Sequence, residues 1–105
     1  MIKIIWITGI SGTGKSTLAK YYLKFLKNFL WIDGDKFRKL FNNDLGYTLS
    51  DRNRNAERLI NFVEFIEKQN LHIIVSANLT SNKYKRLIKK KFKNLFHIKI
   101  LTELN

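Results

Sequence analysis

A glycine-rich loop near the amino terminus carries the residues best suited to chemistry. It follows the pattern G-x-x-x-x-G-K-[ST], whose glycines let backbone N–H groups turn toward phosphate oxygens. Lys15 would supply a cation for the β- and γ-phosphates of a nucleotide, and the Ser16 hydroxyl is a suitable ligand for Mg²⁺. We therefore predict a site for ATP and Mg²⁺ made of Gly9, Ile10, Ser11, Gly12, Thr13, Gly14, Lys15, Ser16 and Thr17.

Two other interpretations of this loop have less support in the sequence. One is a flexible glycine turn that happens to carry a lysine. The other is a dinucleotide-binding turn, in which Asp33 would be the ribose-binding carboxylate expected about twenty residues further on. However, Thr17 stands where the third glycine of G-x-G-x-x-G would follow Gly12 and Gly14.

Two carboxylates follow the second short apolar run of the chain. Asp33 and Asp35 flank Gly34 at the end of a predicted strand. Since ligands bind at the carboxyl ends of the strands in open α/β sheets, we expect both carboxylates near the phosphates. One would act on Mg²⁺ or its waters, and the other would orient or deprotonate an acceptor hydroxyl. The alternative is a D-G turn with two solvated aspartates.

Two arginines complete the set of charged candidates. Arg38 lies three residues after Asp35 on a short predicted helix, so the two side chains share a face. Arg52 lies in the first turn of the next predicted helix. Guanidinium groups on both sides of the crevice would hold an anionic acceptor, whereas the alternative is that both are simply solvated.

Alternating strands and helices must position these residues. We predict strands at residues 2–8, 29–32, 71–77 and 95–101, and helices at 15–27, 36–42, 50–69 and 81–93, the third of them capped by Ser50. This order predicts a parallel α/β sheet of about four strands with helices on both faces, a three-layer sandwich of the P-loop NTPase type. A chain of 105 residues holds one domain, residues 1–105.

The composition excludes several kinds of site. There is no cysteine, which excludes disulfides, thiol catalysis and cysteine-ligated metals. The two histidines, His72 and His97, are far apart and show no metal-ligand spacing. The first apolar run is short and leads straight into Thr8-Gly9 without a cleavage pattern, so we expect a cytoplasmic protein with no membrane partner.

The net charge of +12 raises the question of a polyanionic partner. Residues 81–93 form a predicted helix that is rich in lysine, but its basic side chains face several directions instead of forming one stripe. No aromatic RNA-binding motif accompanies them. We interpret these residues as a solvated face, and a nucleic-acid surface is the less favoured alternative.

Taken together, the motifs resemble those of the adenylyl-sulfate kinase family. They are W-I-T-G-I-S-G-T-G-K-S-T at residues 6–17, D-G-D at 33–35 followed by Arg38, N-x-D-L-G-Y at 42–47, and S-D-R-x-x-N at 50–55. The first motif is shared by many nucleotide kinases, whereas the combination of the other three is much more specific. The resemblance extends from residue 4 to about residue 101.

The resemblance implies an enzyme of sulfate assimilation that phosphorylates the 3′-hydroxyl of adenylyl sulfate with Mg-ATP. It implies that Asp35 is the carboxylate near the acceptor hydroxyl and that Asp33, with Ser16, lies on the Mg²⁺ side. It also implies that a further set of residues contacts the nucleotide substrate, namely Arg38, Tyr47, Arg52, Asn55, Leu79 and Thr80.

The sequence departs from the family pattern at three places. Glu57 replaces an arginine, residues 78–82 lack the usual proline with Thr80 in the place of a serine, and the chain stops before the segments expected to form a lid. A related kinase acting on another nucleotide-linked acceptor, such as a CDP-linked one, is therefore the first alternative. A nucleotide-binding remnant without catalysis is the second. Assembly as a homodimer is left open.

Overall fold

The computed structural model describes residues 3–10, 12–79 and 81–101. Strands and helices alternate along the chain, as predicted. In order they are β1 (Ile4–Thr8), α1 (Lys15–Leu23), β2 (Phe29–Asp33), α2 (Gly34–Lys39), α3 (Leu49–Glu67), β3 (His72–Ser76), α4 (Asn82–Lys91) and β4 (Leu95–Lys99).

The four strands form one parallel sheet in the order β2-β3-β1-β4. β1 is central, and all five of its residues are buried, as expected for an apolar strand covered on both faces. The register pairs Ile7 of β1 with Ser76 of β3, and Ser76 in turn with Asp33 of β2. The carboxyl ends of these three strands therefore meet at one edge of the sheet.

Two hydrophobic clusters hold the helices on opposite faces of the sheet. Ile4 and Trp6 of β1 pack in the larger cluster with residues of α3 and α4, whereas Ile5 and Ile7 pack in the smaller one with Ala19 of α1. Full burial of each such side chain contributes roughly 1.5–3 kcal/mol. The sheet flanked by helices confirms the predicted fold class.

Side-chain caps mark where α2 and α3 begin. Asp33 accepts a hydrogen bond from the backbone N–H of Lys36, so α2 begins two residues earlier than predicted. The predicted cap at Ser50 is wrong. Thr48 is extended and its hydroxyl accepts from the Asp51 N–H at 3.1 Å, so α3 begins at Leu49 and already contains Ser50.

Left-handed asparagines lie in three of the connections, one of which, between α2 and α3, contains Asn42 (φ 56°) and Asn43 (φ 57°). Asn28 (φ 68°) follows α1 and leads into β2, and Asn70 (φ 62°) lies between α3 and β3. Asparagine adopts this conformation at lower cost than most residues. α1 is shorter than predicted, because it ends at Leu23 instead of near residue 27, and the next two N–H groups, of Lys24 and Phe25, donate to carbonyls three residues earlier.

Candidate functional site

A cavity of about 520 Å³ lies at the carboxyl ends of the strands, and we call it the main cavity. The glycine loop, the start of α2 and the first half of α3 surround it. Its lining includes many of the residues predicted from the sequence, namely Gly12, Gly14, Lys15, Ser16, Thr17, Asp33, Asp35, Arg38, Tyr47, Arg52 and Asn55.

The other predicted residues lie elsewhere. Gly9, Ile10 and Thr13 belong to the loop but do not line the main cavity. Leu79, predicted to contact substrate, is 1% exposed and packs in the larger hydrophobic cluster, as expected for an apolar side chain that follows a buried strand. Ser11 and Thr80 lie outside the described residues.

The glycine loop has the backbone shape that a phosphate site needs. Gly12 (φ 86°) and Gly14 (φ 92°) are left-handed, so a side chain at either position would be strained. The Ile10 carbonyl accepts from the Thr13 hydroxyl at 2.7 Å and from Lys15 Nζ at 3.1 Å. These contacts fold the loop back on itself and hold the lysine ammonium at its rim.

The first turn of α1 adds an electropositive end. Gly14 is its N-cap and provides no side-chain hydrogen bond, and no acidic residue lies in the first turn. The first N–H groups of a helix have no intrahelical partner. Together with the helix dipole they favour an anion at this position.

Asp33 connects three elements at the base of the main cavity. Its Oδ1 accepts from the Ser16 hydroxyl and from the Ser76 hydroxyl, each at 3.1 Å, and its Oδ2 accepts from the Lys36 N–H at 3.2 Å. The predicted pairing of Asp33 with Ser16 is thus present as a direct contact. A hydroxyl and a carboxylate held together in this way are the oxygen ligands that Mg²⁺ prefers.

Sequence reasoning missed Ser76. Its hydroxyl donates to Asp33 and accepts from Trp31 Nε1 at 2.9 Å, and the side chain lines the main cavity. Ser76 is 2% exposed, whereas its partners Trp31 and Asp33 are half-buried, so the two hydrogen bonds are partly buried. The signal available in the sequence was a serine that ends an otherwise apolar strand, next to the predicted site.

Asp35 and Asn55 have polar atoms without a protein partner. Among the described residues, the exposed Asp35 carboxylate makes no hydrogen bond or ion pair, and the buried Asn55 Oδ1 has none either. Asn55 and Arg52 lie one turn apart on α3 and both line the main cavity. The exposed Asp35 carboxylate is available to a ligand, and Asn55 Oδ1 is a buried acceptor that lacks a hydrogen-bond partner.

Arg38, predicted to contact substrate, also contacts the loop at residues 46 and 47. Its guanidinium donates to the Gly46 carbonyl and lies 4.4 Å from the centre of the Tyr47 ring, a cation–π contact. The Gly46 N–H donates to Asp51 Oδ2 at 2.9 Å. Arg38 and Asp51 therefore fasten the loop that presents the exposed Tyr47 ring to the main cavity.

An ion pair that the sequence did not reveal holds the same loop. Arg58 contacts Asp44 through both nitrogens, at 2.7 and 3.3 Å, and its guanidinium stacks over Phe41 at 3.9 Å. The hydrogen bond from Arg58 keeps the pKa of the Asp44 carboxyl below its usual value. The N-x-D-L-G-Y stretch is thus anchored to α3 through the ion pair of Asp44 with Arg58.

Tyr84 of α4 also lines the main cavity and was not predicted. It is 3% exposed, and burial followed by the nearby Glu57 carboxylate raises the pKa of its phenol. Glu57 is the residue that replaces a family arginine. The replacement thus places a negative charge beside one wall of the cavity.

Two kinds of feature are absent from the described residues, a cluster of metal ligands and a membrane-spanning helix. No three His, Asp or Glu side chains there come together as a metal site. No helix in that part of the chain has the length and apolar character needed to cross a membrane.

Comparison with known proteins agrees with the geometry. A family model described as adenylylsulphate kinase matches residues 1–104. The adenylyl-sulfate kinase of Buchnera aphidicola is 37% identical over 78 residues, which cover 70% of this chain and 38% of that protein.

Solved structures give the same result. A cysteine-to-alanine mutant of the Mycobacterium tuberculosis APS kinase CysC superposes with a TM-score of 0.82 at 28% identity, covering 96% of this chain and 76% of that one. The same enzyme in complex with AMPPNP and APS gives 0.75 at 26% identity, covering 98% and 64%.

The match covers only part of the curated relatives, since the chain spans less than half of their length. Within that part, the family model extends over almost every residue, and the glycine loop, the D-G-D motif and the fastened 42–47 loop surround one cavity. This chain belongs to the adenylylsulphate kinase family.

Proposed function

We propose that this chain forms the nucleotide- and acceptor-binding part of an ATP-dependent kinase that phosphorylates the 3′-hydroxyl of adenylyl sulfate. The contact of Ser16 with Asp33 carries the proposal, because it joins the glycine loop to the end of β2 inside the main cavity. A phosphate site and an acceptor site then share one space. The structure of a relative, the Mycobacterium tuberculosis APS kinase CysC in complex with AMPPNP and APS, supports the same acceptor.

Backbone N–H groups of the glycine loop and of the first turn of α1 would hold the ATP phosphates. Lys15 would exchange its contact with the Ile10 carbonyl for the β- and γ-phosphate oxygens, which are stronger, charged acceptors. Ser16 and Asp33 would hold Mg²⁺, which when bound supplies positive charge to the same oxygens. The hydrogen bonds of Ser76 and Lys36 keep Asp33 in place for this task.

Asp35 is suited to receive the acceptor. Its carboxylate lines the main cavity one helical turn from Arg38 and makes no protein contact among the described residues. It would accept a hydrogen bond from the 3′-hydroxyl and take its proton as the new bond forms between that oxygen and the γ-phosphorus. The bond from the γ-phosphorus to the bridging oxygen breaks, and ADP leaves.

Tyr47, Arg52 and Asn55 would hold the rest of the acceptor. The Tyr47 ring is 76% exposed and is steadied by Arg38 from one side, so its other face is open to a base. Arg52 offers a cation for the phosphosulfate, and the unpartnered Asn55 Oδ1 accepts from a ligand N–H or O–H.

A kinase for a different nucleotide-linked acceptor is the second candidate. The observation that favours it is Glu57, whose charge next to Tyr84 changes the wall of the main cavity. An anionic phosphosulfate is less favoured near this carboxylate than near the family arginine.

A phosphotransfer assay separates the two candidates. The full chain is incubated with Mg-ATP and either adenylyl sulfate or a panel of CDP-linked acceptors, and phosphorylated product is measured. We expect product from adenylyl sulfate. Transfer to a CDP-linked acceptor alone would overturn adenylyl sulfate as the proposed substrate but keep the proposed mechanism. If the chain binds ATP but transfers phosphate to no acceptor, the proposed kinase activity is overturned.

A further inference from the structure

A second cavity, of about 380 Å³, lies between α4 and β4, and its lining shares no residue with that of the main cavity. We call it the basic groove. Its lining residues are Asn82, Lys85, Arg86 and Lys89 of α4 together with His97 and Lys99 of β4.

The charge of the basic groove is one-sided. Among the described residues, three lysines and one arginine line it together with His97, and no carboxylate does. The ion pairs within residues 3–10, 12–79 and 81–101 join Arg58 to Asp44 and Lys68 and Lys91 to Glu64, so they use none of its cations. Cations collected in one concave space repel each other, and a bound anion would offset that repulsion.

His97 lies at the centre of this charge. Its Nε2 lies 2.9 Å from the hydroxyl of Thr8, which is uncharged and 1% exposed. Within the part of the chain that the structure describes, the charged groups that line the groove beside it are all positive: Lys85, Arg86 and Lys89 on α4, and Lys99 on its own strand. Burial, followed by the charges of Lys89, Lys85 and Lys99, lowers the pKa of the imidazole.

We propose that the basic groove binds a small multivalent oxyanion of the phosphate class. Donors from two different elements converge on it, which gives an anion contacts from more than one side. A tetrahedral oxyanion can accept several such charge-assisted hydrogen bonds at once. A second source of anionic oxygens, a nucleic-acid backbone, fits less well.

The neighbouring lysines explain why a nucleic acid fits less well. Lys83 is engaged over the Tyr84 ring at 5.4 Å, and Lys91 pairs with Glu64 at 3.3 Å, so α4 does not present a continuous basic track. None of the described residues that line the groove is Phe, Tyr or Trp, whereas single-stranded nucleic acids are usually held by stacking on such rings.

Anion binding and protonation of His97 are coupled. A bound anion compensates the lysine charges and stabilises the imidazolium, so it raises the pKa of His97. By linkage, affinity for the anion rises as the pH falls and His97 becomes protonated. If His97 merely packed against Thr8 and no anion bound beside it, its titration would not depend on the anion.

The chain suits a direct test, because it contains two histidines and only one lies in the groove. The histidine ring protons are followed by NMR during pH titrations of the Lys15→Ala protein, in which binding to the glycine loop is weakened. The probe is inorganic pyrophosphate, with sodium chloride at the same ionic strength as the reference. His72, the first residue of β3, is the internal control.

We expect saturable binding of pyrophosphate and a His97 pKa that is higher in pyrophosphate than in chloride. The His72 resonances should be the same in the two salts. The Lys85→Gln/Lys89→Gln variant should bind at least tenfold more weakly. Lys90→Gln/Lys93→Gln removes the same charge from exposed positions outside the groove and should bind as the parent does.

Three results would overturn the proposal. One is an identical His97 titration in pyrophosphate and chloride, which would mean general screening. Another is equal loss of affinity in the two double variants, which would mean a diffuse charge effect. The third is an oligonucleotide that binds the groove more tightly than pyrophosphate at physiological salt, which would assign the groove to nucleic acid.

Discussion

The Ser76 hydroxyl donates a 3.1 Å hydrogen bond to Asp33 Oδ1, the same oxygen that accepts from Ser16. The parallel register of β2 and β3 places the two residues opposite each other. Trp31 Nε1 donates to Ser76 in turn, so a continuous series of hydrogen bonds runs from a strand interior to the edge of the glycine loop. The orientation of the proposed Mg²⁺ ligand therefore depends on a buried serine.

Replacing Ser76 should weaken nucleotide binding in the presence of Mg²⁺ more than nucleotide binding in its absence. Ser76→Ala leaves Trp31 Nε1 and one side of Asp33 Oδ1 without their partner. We expect affinity for a non-hydrolysable ATP analogue to fall several-fold with Mg²⁺ and much less in EDTA, measured by calorimetry. The free energy of unfolding should fall by about 1–3 kcal/mol, the usual cost of an unsatisfied buried group.

Ser76→Thr is the matched control, because it keeps the hydroxyl. It should retain the Mg²⁺ dependence of the wild type if the hydrogen bond to Asp33 is what matters. An equal loss of affinity with and without Mg²⁺ in Ser76→Ala would assign Ser76 to packing alone.

Removing the Lys15 ammonium should reduce nucleotide affinity at least tenfold, about 1.4 kcal/mol. Its Nζ is now held at the rim of the loop by the Ile10 carbonyl, within reach of the phosphates that the loop would surround. Calorimetry of Lys15→Ala against wild type measures the loss. Lys20→Ala, on an exposed position of the same helix, should bind as the wild type does. Equal affinities in all three proteins would exclude the loop as the nucleotide site.

The Asp35 carboxylate should be needed for transfer and not for nucleotide binding. Asp35→Asn cannot accept the hydroxyl proton, so we expect phosphorylation of adenylyl sulfate to disappear while ATP affinity stays within a few-fold. Because Asp35 is exposed to water, the parent rate should itself lie below the common enzyme range of about 1–10³ s⁻¹. Asp35→Asn as active as the parent would remove this residue from the chemistry.

The sequence was sufficient for the element order, the fold class and the family, because short apolar runs and glycine-loop spacing are local signals. One rule about strand ends predicted that Asp33 and Asp35 lie near the phosphates, and the family resemblance placed Asp33 with Ser16 on the Mg²⁺ side. Contacts between distant segments had no such local signal. Examples are Ser76 with Trp31, and Arg58 with Asp44, which depend on strand register and on how α3 packs. The single domain, the cytoplasmic location and a homodimer remain predictions.

The last prediction concerns the pH dependence of stability. The pKa of His97 is lower in the folded chain than in the unfolded one, where it is near 6.5, because burial and nearby lysines disfavour the imidazolium. The unfolded state therefore binds more protons as the pH falls below about 7, and stability contributed by neutral His97 is lost as the pH falls through its folded pKa. We expect the urea midpoint to decrease as the pH is lowered from about 7 to about 5 in buffers without multivalent anions.

His97→Gln cannot titrate and should give a flatter profile of urea midpoint against pH. Lys89→Gln should flatten the profile in part, because it removes one of the charges that oppose the imidazolium. Lys90→Gln lies outside the groove and should keep the parent slope. A parent slope in His97→Gln would show that other groups determine the pH response, whereas pyrophosphate should reduce the slope by raising the folded pKa toward its unfolded value.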